Sequence, residues 1–303
     1  MRLRLILPVA AAVAVAAGCG GEDDGQAGEV RVVATTPQAA AIAEAVGGER
    51  VGVRQLLSNG ADPHSFEPRP SDVRALAVAD LVVRSGGDVD RWLDGVGDAE
   101  SREVFSLLDA ARPKQHDGRV DPHWWHDPAR AADAASALSE RLAGADPGGA
   151  AGYRRRVAAF AARLGRLDAR IRRCVQSVPP ARRKLVTAHP SLGYFADQYG
   201  LEVVGTTIPS SSGQAQPSAG GTRRLVQRIR DEQISAVFPE VGLDNRLEEA
   251  VAREGGATLG KPLYVDTLGP PDSPASTYLG ALEQNADRIV RGLTDGRRGC
   301  AAG

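Results

Sequence analysis

Five histidines punctuate the chain, at His64, His116, His123, His126 and His189. Imidazole is the commonest metal-binding side chain, yet a single histidine is more often structural or solvated than a ligand. Here the surroundings add other donors. The relevant stretches are Asp62-Pro63-His64-Ser65-Phe66-Glu67-Pro68, Asp121-Pro122-His123-Trp124-Trp125-His126-Asp127-Pro128, His189-Pro190-Ser191-Leu192-Gly193-Tyr194 and Tyr264-Val265-Asp266-Thr267. Four of the five histidines fall in loops at the ends of predicted strands or just before predicted helices. In open parallel sheets, ligands bind at such loops. Imidazoles converging from separate loops would hold a divalent cation. Glu240, just past the predicted strand Ser235–Pro239, is another carboxylate at a sheet end, able either to orient a histidine or to bind a metal.

The elements that must position these residues follow an α/β rhythm. Val30–Thr35, Val51–Leu57 and Asp80–Ser85 read as strands, with helices at Pro37–Val46 and Asp72–Val78, the latter capped by Ser71. Residues 111–128 read as a polar loop and Pro128–Leu142 as a helix. In Ala150–Val175, the residues Val157, Phe160, Leu164, Leu167 and Ile171 recur at three- and four-residue steps, which predicts one long amphipathic helix of almost 40 Å. The rhythm then repeats, with strands at Lys184–Ala188, Leu201–Thr206, Ser235–Pro239 and Pro262–Asp266. Helices alternate with them at Ser191–Tyr199, Gly221–Glu232, Asn245–Gly255 and Ser276–Leu293. The expected fold is α/β, with two Rossmann-like lobes built on parallel sheets and joined by a single long rigid α-helix.

The 303 residues carry 37 Lys and Arg against 38 Asp and Glu, a formal net charge of -1. That balance argues against nucleic-acid binding. Arg2 and Arg4 precede the apolar run Leu5–Ala17, and small residues follow, as in a signal peptide. Ala16-Ala17-Gly18-Cys19 resembles a bacterial lipobox, in which Cys19 would be lipidated, and Gly20–Gly28 then reads as a tether. Cys174 and Cys300 remain, and an oxidising compartment favours their pairing. The expected organisation is signal peptide 1–18, lipidated tether 19–29, N-terminal lobe 30–148, linking helix 149–178 and C-terminal lobe 179–303.

The four histidine and aspartate stretches, in this order around a long central helix, resemble the substrate-binding proteins of bacterial zinc and manganese ABC importers, the metal-binding cluster A-I family. The resemblance runs from about Val30 to the C-terminus. It implies a two-lobed receptor with His64, His123, His189 and Asp266 as metal ligands, two from each lobe. It also implies an extracytoplasmic chain, lipid-anchored to the cell membrane, and a permease and an ATPase as separate partner chains. No GxxxxGK[ST] is present, in keeping with a separate ATPase. A monomer is expected. Three imidazoles and one carboxylate suit tetrahedral Zn2+, while an Asp266 binding through both oxygens would suit Mn2+.

Three departures from the family pattern are visible. His189 is followed by Pro-Ser where the family often has Asp-Ala. His126 replaces a usually apolar residue and, at three residues from His123, is a possible additional ligand, as is Glu240. The segment before the second motif holds only His116 and Asp117 where many zinc-binding members carry a histidine-rich loop. Other readings on the same residues are a surface adhesin or metal chaperone, which also needs only binding, and a zinc hydrolase. The hydrolase lacks an HExxH motif, and a fourth ligand from Asp266 would close its site. A serine nucleophile at Ser210–Ser212 lacks a GxSxG elbow. The chain is expected not to be an enzyme.

Overall fold

The computed structural model describes residues 29–96, 103–116, 118–210 and 216–300. The signal-peptide, lipobox and tether expectations for residues 1–28 lie outside them. No helix among the described residues is long and apolar enough to cross a membrane.

The first sheet contains β1 (Val30–Ala34), β2 (Val51–Gln55), β3 (Leu81–Arg84) and β4 (Val104–Ser106), in the order β2-β1-β3-β4 and all parallel. Its central strands β1 and β3 are Val-rich and largely buried, as fits strands covered on both faces, while the outer β2 and β4 are partly exposed. Helix α1 (Pro37–Gly47) follows β1. Pro37 supplies a pre-set first turn, and the Thr36 hydroxyl accepts from the Ala39 N–H at 3.2 Å. Helix α2 (Pro70–Val78) precedes β3. The sequence expectation of a Ser71 cap is corrected here: the helix already begins at Pro70, and the Asp72 carboxylate closes the first turn by accepting from the Arg69 N–H at 2.9 Å. Short helix α3 (Leu107–Ala110) continues from β4.

The stretch read as a loop at 111–128 contains an antiparallel ladder, β5 (Gln115–His116) with β6 (Arg119–Val120). Helix α4 (Pro128–Ala145) follows, its first turn capped by Asp127. Then comes α5 (Ala150–Gln176), 27 residues and about 40 Å long. Its inward face buries Tyr153, Phe160, Leu164, Leu167, Ile171 and Val175 against α4, α1 and elements of the second lobe.

The second sheet has the order β10-β9-β7-β8, again all parallel. Its strands are β7 (Lys184–Thr187), β8 (Glu202–Thr206), β9 (Ala236–Phe238) and β10 (Thr258–Leu259). The helices around it are α6 (Gly193–Tyr199), α7 (Ala219–Asp231), α8 (Arg246–Gly255) and α9 (Tyr278–Leu293). The expected strand Pro262–Asp266 does not form a ladder. Only Leu263 pairs there, with Glu240. Its neighbours bond to side chains instead: Asn285 of α9 brackets Tyr264 by accepting from its N–H at 2.8 Å and donating to its carbonyl at 2.7 Å.

One apolar cluster runs from Val32 and Ile42 through Leu164 and Leu167 to Phe238 and Ile289, so both lobes and α5 share a core. Cys174 near the end of α5 is disulfide-bonded to Cys300 beyond α9, fastening the chain's tail to the linking helix.

Candidate metal centre

His64 follows β2. It sits in a single tight turn, Pro63–Ser65, held by the Asp62 carboxylate, which accepts from the His64 N–H at 2.9 Å. His123 enters from the segment before α4. Asp121 accepts from the His123 N–H at 3.0 Å, and its carboxylate also lies 2.7 Å from the ring Nδ1. Two adjacent tryptophans fix this segment to different parts of the molecule. The Trp124 indole N–H donates to the Ser85 carbonyl at the end of β3 (3.0 Å), and the Trp125 indole N–H donates to the Val265 carbonyl next to Asp266 (2.9 Å).

His189 lies two residues past β7. Glu240 lies two residues past the neighbouring β9, and the parallel register Thr187 with Phe238 carries the pair onward side by side. Both Glu240 oxygens are 2.8 Å from His189 Nδ1, and one also accepts from the His189 N–H at 3.1 Å. Asp266 arrives on the segment bracketed by Asn285 and Trp125.

The donor atoms of His64, His123, His189 and Asp266 all lie within 4.8 Å of one another. Asp266 Oδ2 is 3.3 Å from His64 Nε2 and 3.4 Å from His189 Nε2, Oδ1 is 3.6 Å from His123 Nε2, and the Nε2 atoms of His123 and His189 are 3.2 Å apart. A tetrahedral ion with bonds near 2.0–2.1 Å separates its ligands by about 3.3–3.4 Å. Carboxylates at Nδ1 keep the His123 and His189 rings oriented with Nε2 turned toward Asp266, the arrangement by which outer partners tune ligand histidines.

The electrostatics match. Burial alone would lower the His189 pKa, but the Glu240 and Asp266 carboxylates outweigh it and raise it to about 9. His64 is raised in the same way, burial being outweighed by Asp266. Burial would raise the Asp266 carboxyl, yet the surrounding histidines hold it well below the ordinary carboxylate range. Metal-free, His189 and His64 therefore hold a proton more tightly than a free imidazole does, and a divalent cation must displace it. The adjoining cavity is about 20 Å3, lined by His64, His189, Asp266 and Thr267, far below the volume an organic ligand needs. A cavity of about 710 Å3 touches Asp121 but none of the four clustered residues.

The other sequence candidates part ways. Glu240 is not among the clustered donors: both its oxygens are turned to His189 Nδ1, so it acts on the site through that ring. His126 is corrected as a possible ligand. It is buried beyond Trp125, lines a separate small cavity with Gln38 and Tyr278, and takes no part in the cluster. Trp125 packs beside both rings, its centroid 5.4 Å from that of His123 and 5.9 Å from that of His126. His116 lies in β5, paired with Arg119 in the ladder. Sequence reasoning left Asp121 without a role. The repeated Asp-Pro-His was the available signal, but only at His123 does the aspartate reach the ring.

The family model described as zinc-uptake complex component A, periplasmic (ZnuA), matches residues 32–292. This chain belongs to that family. It is a metal-binding receptor of an ABC importer and not an enzyme. The manganese-binding lipoprotein MntA of Halalkalibacterium halodurans is 30% identical over 287 residues, 92% of this chain and 95% of the relative. The iron-binding protein YfeA of Yersinia pestis is 28% identical over 269 residues, 87% and 86% of the two chains. Among solved structures, the periplasmic zinc binding protein TroA of Treponema pallidum has a TM-score of 0.79 at 29% identity, covering 88% of this chain and 99% of that one. Two parallel-sheet lobes joined by a long helix are therefore this family's architecture as well as this chain's.

Proposed function

We propose that the chain captures Zn2+ outside the cytoplasmic membrane and passes it to a separate permease driven by its ATPase. The ligands are His64, His123, His189 and Asp266, with Asp121 and Glu240 holding two of the rings. In this reading Cys19 carries the lipid anchor, the lobes are residues 30–148 and 179–303 on either side of the helix 149–178, and the receptor works as a monomer. The observation that carries the metal assignment is the donor set itself: three Nε2 atoms and one carboxylate with close contacts of 3.2–3.6 Å, near the edge length of a zinc tetrahedron.

Manganese is the second reading, and one observation favours it. Asp266 turns Oδ2 toward His64 and His189 and Oδ1 toward His123, so both oxygens face the histidine nitrogens, as a higher-coordinate ion would use them. Relatives bearing the names manganese-, iron- and zinc-binding are consistent with a scaffold that serves several ions.

The test is a competition titration of metal-free protein with zinc and manganese while bound ions are counted. One zinc per chain, retained against excess manganese, supports the zinc receptor. Manganese preference supports the second reading. Binding of neither overturns both.

A further inference from the structure

The outer face of α5 has a composition unlike the rest of the chain. The helix holds eight arginines against one acidic residue, Asp168, leaving seven net positive charges in a protein whose formal net charge is -1. The acids flanking it are already engaged: Glu140 with Arg154, Asp168 with Arg172, and Glu283 with Arg170. Arg155, Arg163, Arg166 and Arg173 are exposed and form no ion pair among the described residues. Arg155, Arg166 and Arg173 fall within about 20° of one line along the helix, spanning about 27 Å. The exposed residues nearest that line are small, Ala159, Ala162 and Ala169, so nothing bulky on it screens the guanidinium groups.

The position of this face in the fold is equally defined. Near its start, α5 is tied to the end of α1, where Arg156 donates to the Val46 carbonyl at 2.7 Å, and just before α5 Asp146 pairs at 2.7 Å with Arg50, the residue before β2. Val51, the first residue of β2, pairs with Val30, the first of β1. At its end, the Val178 carbonyl accepts from Arg183, the residue before β7 begins. The helix thus runs along the N-terminal edges of both sheets. His64 and His189 follow the C-terminal ends of β2 and β7, at the opposite edge. The chain that leads back to Cys19 leaves the body at Glu29, on the same edge as α5, and ten residues span at most about 35 Å.

We propose that the basic outer face of α5 docks on the anionic headgroups of the membrane that carries the anchor, with the metal-binding edge turned to the solvent. This rests on the reading that Cys19 is lipidated, which holds the body within reach of the leaflet. Charge complementarity supplies the attraction, and each arginine at such a surface adds a comparable increment. The posture favours capture, and handing metal to the permease then requires the body to leave the leaflet.

The test uses the chain from Gly20 onward, which has the whole folded body and no lipid. Its sedimentation is measured with vesicles of phosphatidylcholine alone and with phosphatidylglycerol added. The expected result is binding to the phosphatidylglycerol vesicles only, weakening with salt. Replacing Arg155, Arg166 and Arg173 with Gln is expected to weaken it about a hundredfold. Replacing the same three with Lys should retain it within a few-fold. Replacing the exposed Arg223, Arg224 and Arg253 of α7 and α8 with Gln removes equal charge elsewhere and should also change it only a few-fold. Zinc stoichiometry in every variant reports folding. Absence of binding by the parent chain, equal binding to neutral vesicles, or an equal loss from the α7 and α8 substitutions overturns the proposal. Incorporation of labelled palmitate at Cys19 in the producing cell tests the anchor separately, so failure of docking and failure of anchoring are distinguishable.

Discussion

His123 and His126 lie three residues apart on one turn, and both are almost completely buried, at 0% and 1% exposure. Their environments differ in one respect. His123 Nδ1 meets the Asp121 carboxylate at 2.7 Å, which leaves Nε2 for the cluster. Neither ring nitrogen of His126 has a hydrogen-bond partner among the described residues. Burial, with His123 close by, pushes the His126 pKa down to about 3. It therefore stays neutral at physiological pH. At His123 a carboxylate fixes the tautomer and leaves the other nitrogen aimed at the cluster, whereas no described carboxylate does this for His126. His189, backed by both oxygens of Glu240, belongs with His123 on this test.

The sharpest way to break the comparison is to remove each ring in turn. His123→Ala should cost more than a hundredfold in zinc affinity, beyond the usual loss from removing an outer partner. His126→Ala should change affinity no more than about threefold. Competition against a chelating indicator measures both. Equal losses would mean that His126 reaches the metal after all.

The next effect concerns the carboxylates behind the rings. Asp121→Asn and Glu240→Gln should each weaken zinc binding about 10- to 100-fold, because the ligand stays while its orientation and basicity decline. An effect under threefold at both positions would reduce Asp121 and Glu240 to structural roles.

Glu240 also sets a pH dependence. With its pKa raised to about 9, His189 holds a proton in the metal-free chain at neutral pH. Zinc must displace that proton, so apparent affinity should rise at least about tenfold per pH unit up to pH 9, the raised His64 adding to the slope at the lower end. The stability of the metal-free chain should move the other way. A raised folded-state pKa contributes stability that is complete below the ordinary histidine value near 6.5 and is lost as pH rises through 9. Glu240→Gln should shift the upper end of the affinity rise to lower pH. A zinc affinity that is flat from pH 6.5 to 9 would contradict this proton linkage.

Much of this is legible in the sequence, for unequal reasons. The strands around β1, β3 and β7 are short β-branched runs, and the 27-residue α5 has an unbroken apolar stripe, so local pattern sufficed. The clustering of His64, His123, His189 and Asp266 was approached through resemblance and not through spacing, since 202 residues separate the first from the last (266 − 64). Glu240 stayed ambiguous because a strand-end carboxylate can face either way until the β7–β9 register is known. Pro262–Asp266 looked like a strand because its residues favour extended backbone. Its partners are Asn285 and Trp125 side chains from distant positions, which periodicity does not encode. His126 was indistinguishable from a ligand on spacing alone, since spacing does not say which way each ring faces.

The smallest predicted effect returns to His126. Its ring is packed with Trp125 and Tyr278 beside Gln38, whose Oε1 likewise has no hydrogen-bond partner among the described residues. A buried polar atom left unsatisfied costs about 1–3 kcal/mol, and an apolar side chain of similar volume removes that cost. The adjoining cavity of about 10 Å3 leaves little room, so leucine, close to histidine in volume, is a better probe than phenylalanine, which would overpack the site. His126→Leu should stabilise the metal-free chain by about 1 kcal/mol, a rise of about 2–4 °C in Tm. Zinc affinity should be unchanged within twofold, because the ring takes no part in the cluster. A fall in Tm of the same size would show that the His126 nitrogens are satisfied in solution. The contrast with His123 would then lie in which way each ring faces and not in whether it has a partner.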